Sequence, residues 1–184
     1  MFPEPYRSDR QALEEHVKRL IREDIKASYL KALQGYLWRR GYETGDLSAP
    51  LFDDVEPFLK AAQGAGKRVI IYSSGSVPAQ KLLMGHTNAP ESNLTHLISD
   101  WYDTTNAGPK TDAASYSRIM SNYSTVDAGR WLFLSDNLLE VEAALAAGMH
   151  SVPVVRPGNS PLPSDNTLSA RAICNFKHEP AEGH

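Results

Sequence analysis

Three short apolar runs constrain the fold of this chain more than anything else in it. Val69-Ile70-Ile71-Tyr72 stops at Ser73-Ser74-Gly75-Ser76, and Trp131-Leu132-Phe133-Leu134 stops at Ser135-Asp136. Ser151 to Val155 stops at Arg156-Pro157-Gly158-Asn159. The runs are apolar throughout rather than alternating, and helix-type sequence separates them. Strands of that kind belong to a parallel sheet covered by helices on both faces. The pattern predicts an α/β protein with a Rossmann-like parallel sheet. In such sheets ligands sit beyond the carboxyl ends of the strands, so the places to search are Ser73–Ser76 and Ser135–Glu140.

The predicted elements follow from periodicity and caps. Before residue 45, Leu13, Val17, Leu20, Ile21 and Ile25, then Leu30, Leu33 and Leu37, recur at helical spacing. That reads as two helices, or one bent near Ala27-Ser28, with Ser8 and Gln11 as a capping box. Further on, helices are predicted over 53–65, 77–84, 111–122 and 138–147. Ser76 is the predicted N-cap of the second of these, Pro78 lies in its first turn, and Gly148 stops the last. Strands are predicted over 67–73, 130–135 and 151–155, with a short one near 96–98. The stretch from Ser160 on is rich in Pro, Ser and Asn and reads as surface chain.

Bulk properties exclude some function classes. The 184 residues are 41% hydrophobic with a formal net charge of −3, which suits a packed core and argues against nucleic acid as a partner. The single cysteine, Cys174, allows no internal disulfide. No apolar leader and no membrane-length apolar run occur, so the reading is an intracellular protein without a membrane partner. No GxGxxG or GxxxxGK[ST] string occurs, which disfavours a nucleotide-binding domain of another kind.

Three polar clusters carry chemistry. Ser73, Ser74 and Ser76 around Gly75, ahead of a helix, form either an anion site or a plain strand-to-helix turn. Asp136, with Glu140 one helical turn on, suits a hard cation such as Mg²⁺; it equally suits helix capping. Lys110, after Gly108-Pro109, either faces a phosphate or is a solvated surface lysine.

Their order, together with IYSSGSVPAQKLLMGH, FLSDNLLEVEAALAAGM and VVRPGN, resembles the haloacid-dehalogenase-like phosphatases. Within them it resembles the fungal enolase-phosphatases of methionine salvage, from about Leu13 to Phe176. The resemblance implies a helical cap over 1–48 (partial), a phosphatase core over 49–176 and a tail over 177–184. It implies that Ser73, Ser74 and Lys110 hold the substrate phosphate. It implies that Asp136 binds Mg²⁺, with Glu140 as an outer acid of the same cation, and that Tyr36, Trp38 and Tyr42 either enclose the substrate or pack the cap. The implied substrate is a small phosphorylated diketone, 2,3-diketo-5-methylthiopentyl-1-phosphate. It is enolised and then hydrolysed to an acireductone by a monomer of the cytoplasm and nucleus. The family opens with a strand ending in Asp-x-Glu-Gly-Thr, whose first aspartate is the nucleophile. Nothing in these 184 residues matches it, because Asp9, Asp24 and Asp46 lie in polar or helical surroundings. The expectation is a truncated member, inactive alone. Its strands at 67–73 and 130–135 must then pair directly or leave backbone unpaired. A catalytically dead phosphate-binding or regulatory paralogue is the alternative.

Overall fold

The computed structural model describes residues 2–177; the expected tail over 177–184 lies outside these but for Lys177. The backbone divides into two compact units at Ala49/Pro50.

In the first unit, α1 (Arg10–Arg22) and α2 (Ser28–Glu43) are separate helices. The cap of α1 is Asp9 rather than Ser8: its carboxylate accepts from Gln11 N at 2.8 Å and Ala12 N at 3.2 Å. A carboxylate one residue nearer the helix reaches two open amides, and its charge suits the positive end of the dipole. Leu20 and Leu30 are buried, with His16 stacked on Tyr6 at 3.9 Å and its Nε2 3.1 Å from the Tyr29 hydroxyl. Ile21, Ile25 and Leu37 share the predicted apolar period yet are exposed, as are Tyr36 and Trp38.

The second unit is the parallel α/β layer structure. α3 (Val55–Gly64) precedes β1 (Ile70–Ser73), α4 (Val77–Met84) and β2 (Asp100–Asp103). α5 (Ala113–Ser121), β3 (Leu132–Ser135), α6 (Leu138–Ala146) and β4 (His150–Pro153) follow. The strand expected near 96–98 lies four residues later. Thr95–Leu97 is a 3₁₀ turn instead, and Leu94, Leu97 and Ile98 point into the core. Their spacing is that of a helical turn rather than of alternation, and the strand begins where Asp100 opens the register with Ile70.

Alternation across the strands builds two core layers, as a period of two requires. Val69, Ile71 and Trp101 pack with Leu59 of α3 and Met84 of α4. Ile70, Tyr72 and Tyr102 point the other way, onto Ile119 of α5. Phe133, Ala143 and Ala144 join Tyr116 on that second side.

β1 pairs only with β2, and β3 with β4, both in parallel; among the described residues no strand joins the two pairs. The Tyr116 ring touches Tyr72 of β1 at 5.5 Å and Phe133 of β3 at 5.0 Å, each edge-to-face. The two inner edges are thus two ring contacts apart. Of the two expected arrangements, direct pairing is not adopted: among the described residues a slot separates β1 from β3, spanned by the Tyr116 ring. The outer edge of β4 is covered differently. Ile173 bridges Val154, with Val155 N donating to Ile173 O and Ile173 N to Pro153 O. The Pro- and Ser-rich stretch lies on the surface, as expected, and at Ile173 bridges the outer edge of the sheet.

Candidate active site

The carboxyl ends of β1 and β3 and the loop before α5 form the two lips and the floor of the slot. On the β1 lip, Ser73 Oγ accepts from Gly75 N at 3.2 Å, while Ser74, Gly75 and Ser76 are exposed. Ser76 is the N-cap of α4, as predicted, but its hydroxyl makes no capping bond. Asp103 at the end of β2 takes that duty: Oδ2 accepts from Val77 N at 2.9 Å, and Oδ1 accepts from Thr105 N and Asn106 N. These amides hold its carboxyl below the usual range. Gln80 Nε2 donates to Gly75 O at 2.7 Å and Tyr102 O at 2.9 Å, tying the serine loop to β2.

On the β3 lip the capping alternative is settled in favour of Asn137. Its Oδ1 accepts from Leu139 N at 3.0 Å and opens α6. Asp136 is left exposed, with Oδ2 accepting from Asn159 Nδ2 at 2.9 Å. Glu140 Oε2 meets Lys110 Nζ at 2.5 Å and accepts from Ser135 Oγ at 2.6 Å. It neutralises the lysine.

Lys110 is not a solvated surface lysine, for its side chain is 19% exposed. Its ammonium lies 5.9 Å from the rings of both Tyr72 and Phe133, which places the charge between the two lips. Three donors fix the backbone that carries it: Tyr72 Oη to Gly108 O at 2.7 Å, Tyr116 Oη to Lys110 O at 2.6 Å, and Arg118 Nη1 to Ala107 O at 2.6 Å. Burial pushes both phenols above their ordinary value, with the Glu140 charge adding to it, so they stay protonated donors. Gly108 has φ +111°, and a Cβ there would stand 2.6 Å from Ser115 Oγ. Gly108→Ala is expected to cost about 1–3 kcal/mol and to weaken binding of phosphate near Lys110. Urea unfolding and phosphate titration check both, and an alanine variant as stable as the parent contradicts the strain.

The described residues hold no group of three or more His, Cys, Asp or Glu able to bind a metal. Mg²⁺ typically takes one or two carboxylates, waters and substrate phosphate. The exposed Asp136 carboxylate, with one oxygen on Asn159, fits as one such ligand.

The structure brings Lys110, Ser135 and Glu140 together beside Tyr72 of β1 and Phe133 of β3, while Ser73 ends β1 and Asp136 follows β3. Asp103, Gln80, Tyr72, Tyr116 and Asn159 were not foreseen as contributors. Asp103 was hidden by the misplaced strand, Tyr72 read only as part of an apolar run, and Tyr116 was not singled out. Asn159 and Gln80 belong to the distinctive strings RPGN and AQKLL, a signal that something constrains them without saying what. No helix among the described residues is long and apolar enough to cross a membrane.

No family model matches the chain. Curated relatives do. The chain is 59% identical over 178 residues to the enolase-phosphatase E1 of Fusarium vanettenii, across 96% of this chain and 75% of that protein. It is 57% identical to the enolase-phosphatase E1 of Verticillium alfalfae, across 96% of this chain and 69% of that one. Among solved structures it is similar to the UTR4 protein of Saccharomyces cerevisiae. There the TM-score is 0.79 and the identity 39%, over 92% of this chain and 75% of that one. An L-2-haloacid dehalogenase shares the fold at TM-score 0.59 and 18% identity, over 85% of this chain and 63% of that one.

Proposed function

Because the chain belongs to the enolase-phosphatase E1 family, whose members are phosphatase-type hydrolases, we propose that its slot binds 2,3-diketo-5-methylthiopentyl-1-phosphate with Mg²⁺ and serves its enolisation and dephosphorylation to the acireductone. The observation that carries this reading is the mostly buried Lys110 ammonium between the ends of β1 and β3. An ammonium fixed there offsets phosphate charge in a water-poor place, where it acts more strongly than at an open surface. An arriving phosphate shares it with Glu140.

Each lip has a part. The Ser73 and Ser74 hydroxyls ahead of α4 receive phosphate oxygens. Asp136 would hold Mg²⁺, which when bound supplies charge neutralisation at the phosphoryl oxygens. The phosphoryl group needs an in-line attacking carboxylate. Asp103 is spent on amides and Glu140 on Lys110; the resemblance to the family puts the nucleophile at the end of a strand between β1 and β3, where the described residues supply none. The same reading takes the helical unit as a cap over the substrate, and a monomer acting in the cytoplasm and nucleus.

The test is phosphate binding to single variants. Lys110→Ala is expected to weaken inorganic phosphate binding about tenfold or more, and Ser73→Ala only a few-fold. A charge-assisted contact is worth roughly twice a neutral one. In any active complete form Asp136→Asn abolishes Mg²⁺-dependent turnover. The reverse ranking of Lys110 and Ser73, or unchanged Mg²⁺ dependence, contradicts the assigned roles.

A further inference from the structure

The string Arg156-Pro157-Gly158-Asn159 closes β4 as a tight turn. Asn159 N donates to Arg156 O at 3.0 Å, proline stands second, and Gly158 third with φ +94°. This is a type II turn with the residues that type demands. The side chain of Asn159 does two things. Its Oδ1 accepts from Arg156 N at 2.7 Å, and its Nδ2 donates to Asp136 Oδ2 at 2.9 Å. The two contacts leave no freedom in the amide's orientation, because turning it over would set an acceptor against the carboxylate and a donor against the N–H.

The turn is itself clamped. Arg156 Nη2 lies 2.9 Å from both Asp54 oxygens, and Nη1 donates to Cys174 O at 3.0 Å. The guanidinium stands between the rings of Phe52 at 4.9 Å and Phe176 at 4.5 Å. Asn159 therefore projects from a rigid base.

We propose that Asn159 is a positioning residue for Asp136, holding one carboxylate oxygen by a neutral donor so that the full negative charge stays available to a divalent cation. The contrast with Glu140 supports it: that carboxylate is tied by an ammonium, which cancels its charge, whereas the amide orients Asp136 without cancelling anything. Partners of this kind, one bond removed from the metal, typically change metal affinity 10–100-fold. The inference rests on the cation reading of Asp136 given above.

The experiment titrates Mn²⁺ into the full 184-residue chain with inorganic phosphate present and follows the free-ion signal by electron paramagnetic resonance. The variants are Asn159→Ala, Asn159→Ser and Asp136→Asn. Serine retains an oxygen for the Arg156 N–H but falls short of Asp136. Both Asn159 variants are expected to raise the Mn²⁺ dissociation constant about tenfold with an unchanged near-ultraviolet circular dichroism spectrum. Asp136→Asn is expected to abolish the binding. If Asp136→Asn abolishes binding and Asn159→Ser leaves it at the parent value, the positioning role falls and the cation reading stands. If the parent chain binds no Mn²⁺, or Asp136→Asn leaves binding unchanged, the cation reading itself falls. Weakened binding together with a lost dichroism spectrum assigns Asn159 to the turn alone and overturns the proposal.

Discussion

Assayed with Mg²⁺ and a phosphorylated diketone, these 184 residues by themselves are expected to turn over at least about 10³-fold more slowly than the relatives they match, since loss of a nucleophile costs up to about 10⁶-fold. The chemistry divides into holding the ester and attacking it. Ser73, Lys110 and Asp136 serve the first. For the second a carboxylate must sit in line with the departing oxygen, about 3–3.5 Å from phosphorus. The place from which it could do so is the slot between β1 and β3, where the described residues supply no strand. Inorganic phosphate should still bind, because Lys110 is fixed by Tyr72, Tyr116 and Phe133 independently of any occupant. Turnover within tenfold of a complete relative would show that another group attacks. A synthetic apolar strand ending in Asp-x-Glu-Gly-Thr, added in trans, separates the two functional readings. Activity that rises with peptide marks an incomplete enzyme, and continued silence marks a binding protein.

The second large effect is on stability. Asp54→Ala is expected to cost about 3–5 kcal/mol in urea unfolding, the range for stripping one partner from a buried ion pair. The Asp54 and Arg156 side chains are 6% and 13% exposed. Asp54 Oδ2 also accepts from Phe176 N at 2.7 Å, so its loss orphans a guanidinium and an amide together. Removing both charges should cost much less than the sum of the single losses, because no orphan then remains. Additive losses would mean that the pair is not coupled. The pH dependence follows in sign. Burial alone raises the Asp54 carboxyl, but the Phe176 amide and Arg156 guanidinium outweigh it and hold the group below its ordinary value. A carboxyl depressed in the folded state contributes stability that is present above its unfolded value, about 3.9. That stability drains away as pH falls through the folded one. Asp54→Asn should therefore flatten the acid limb of the stability curve below about pH 4 and leave its shape above pH 6 unchanged. An acid limb identical to the parent's places the titrating group elsewhere.

How far the residues announce this arrangement varies by scale. Helices α4 and α6 and the strands ending at Ser73 and Ser135 were legible because each depends on neighbours in the chain: an apolar run, a cap, a proline in a first turn, a glycine stop. So was the parallel sheet, because its strands are apolar on both faces. β2 was misplaced because Leu94, Leu97 and Ile98 are as apolar as a strand, and Asp100-Trp101-Tyr102-Asp103 carries its polar ends into hydrogen bonds with distant groups. Asp100 Oδ2 accepts from the Tyr123 hydroxyl at 2.8 Å, 23 residues away.

The functional side chains divide along the same line. That Ser73, Lys110 and Asp136 stand at strand ends or before a helix follows from local order, since strand ends and helix starts are set by nearest neighbours. The finer assignments could not follow from it. Asn137 rather than Asp136 caps α6. Glu140 turns to Lys110, Asp103 caps a helix 26 residues before it, and Arg156 reaches Asp54 across 102 positions. Each is a competition among several partners for one charge or one amide. Such competitions are decided by which groups packing brings within about 3 Å, a distance that residue order does not encode.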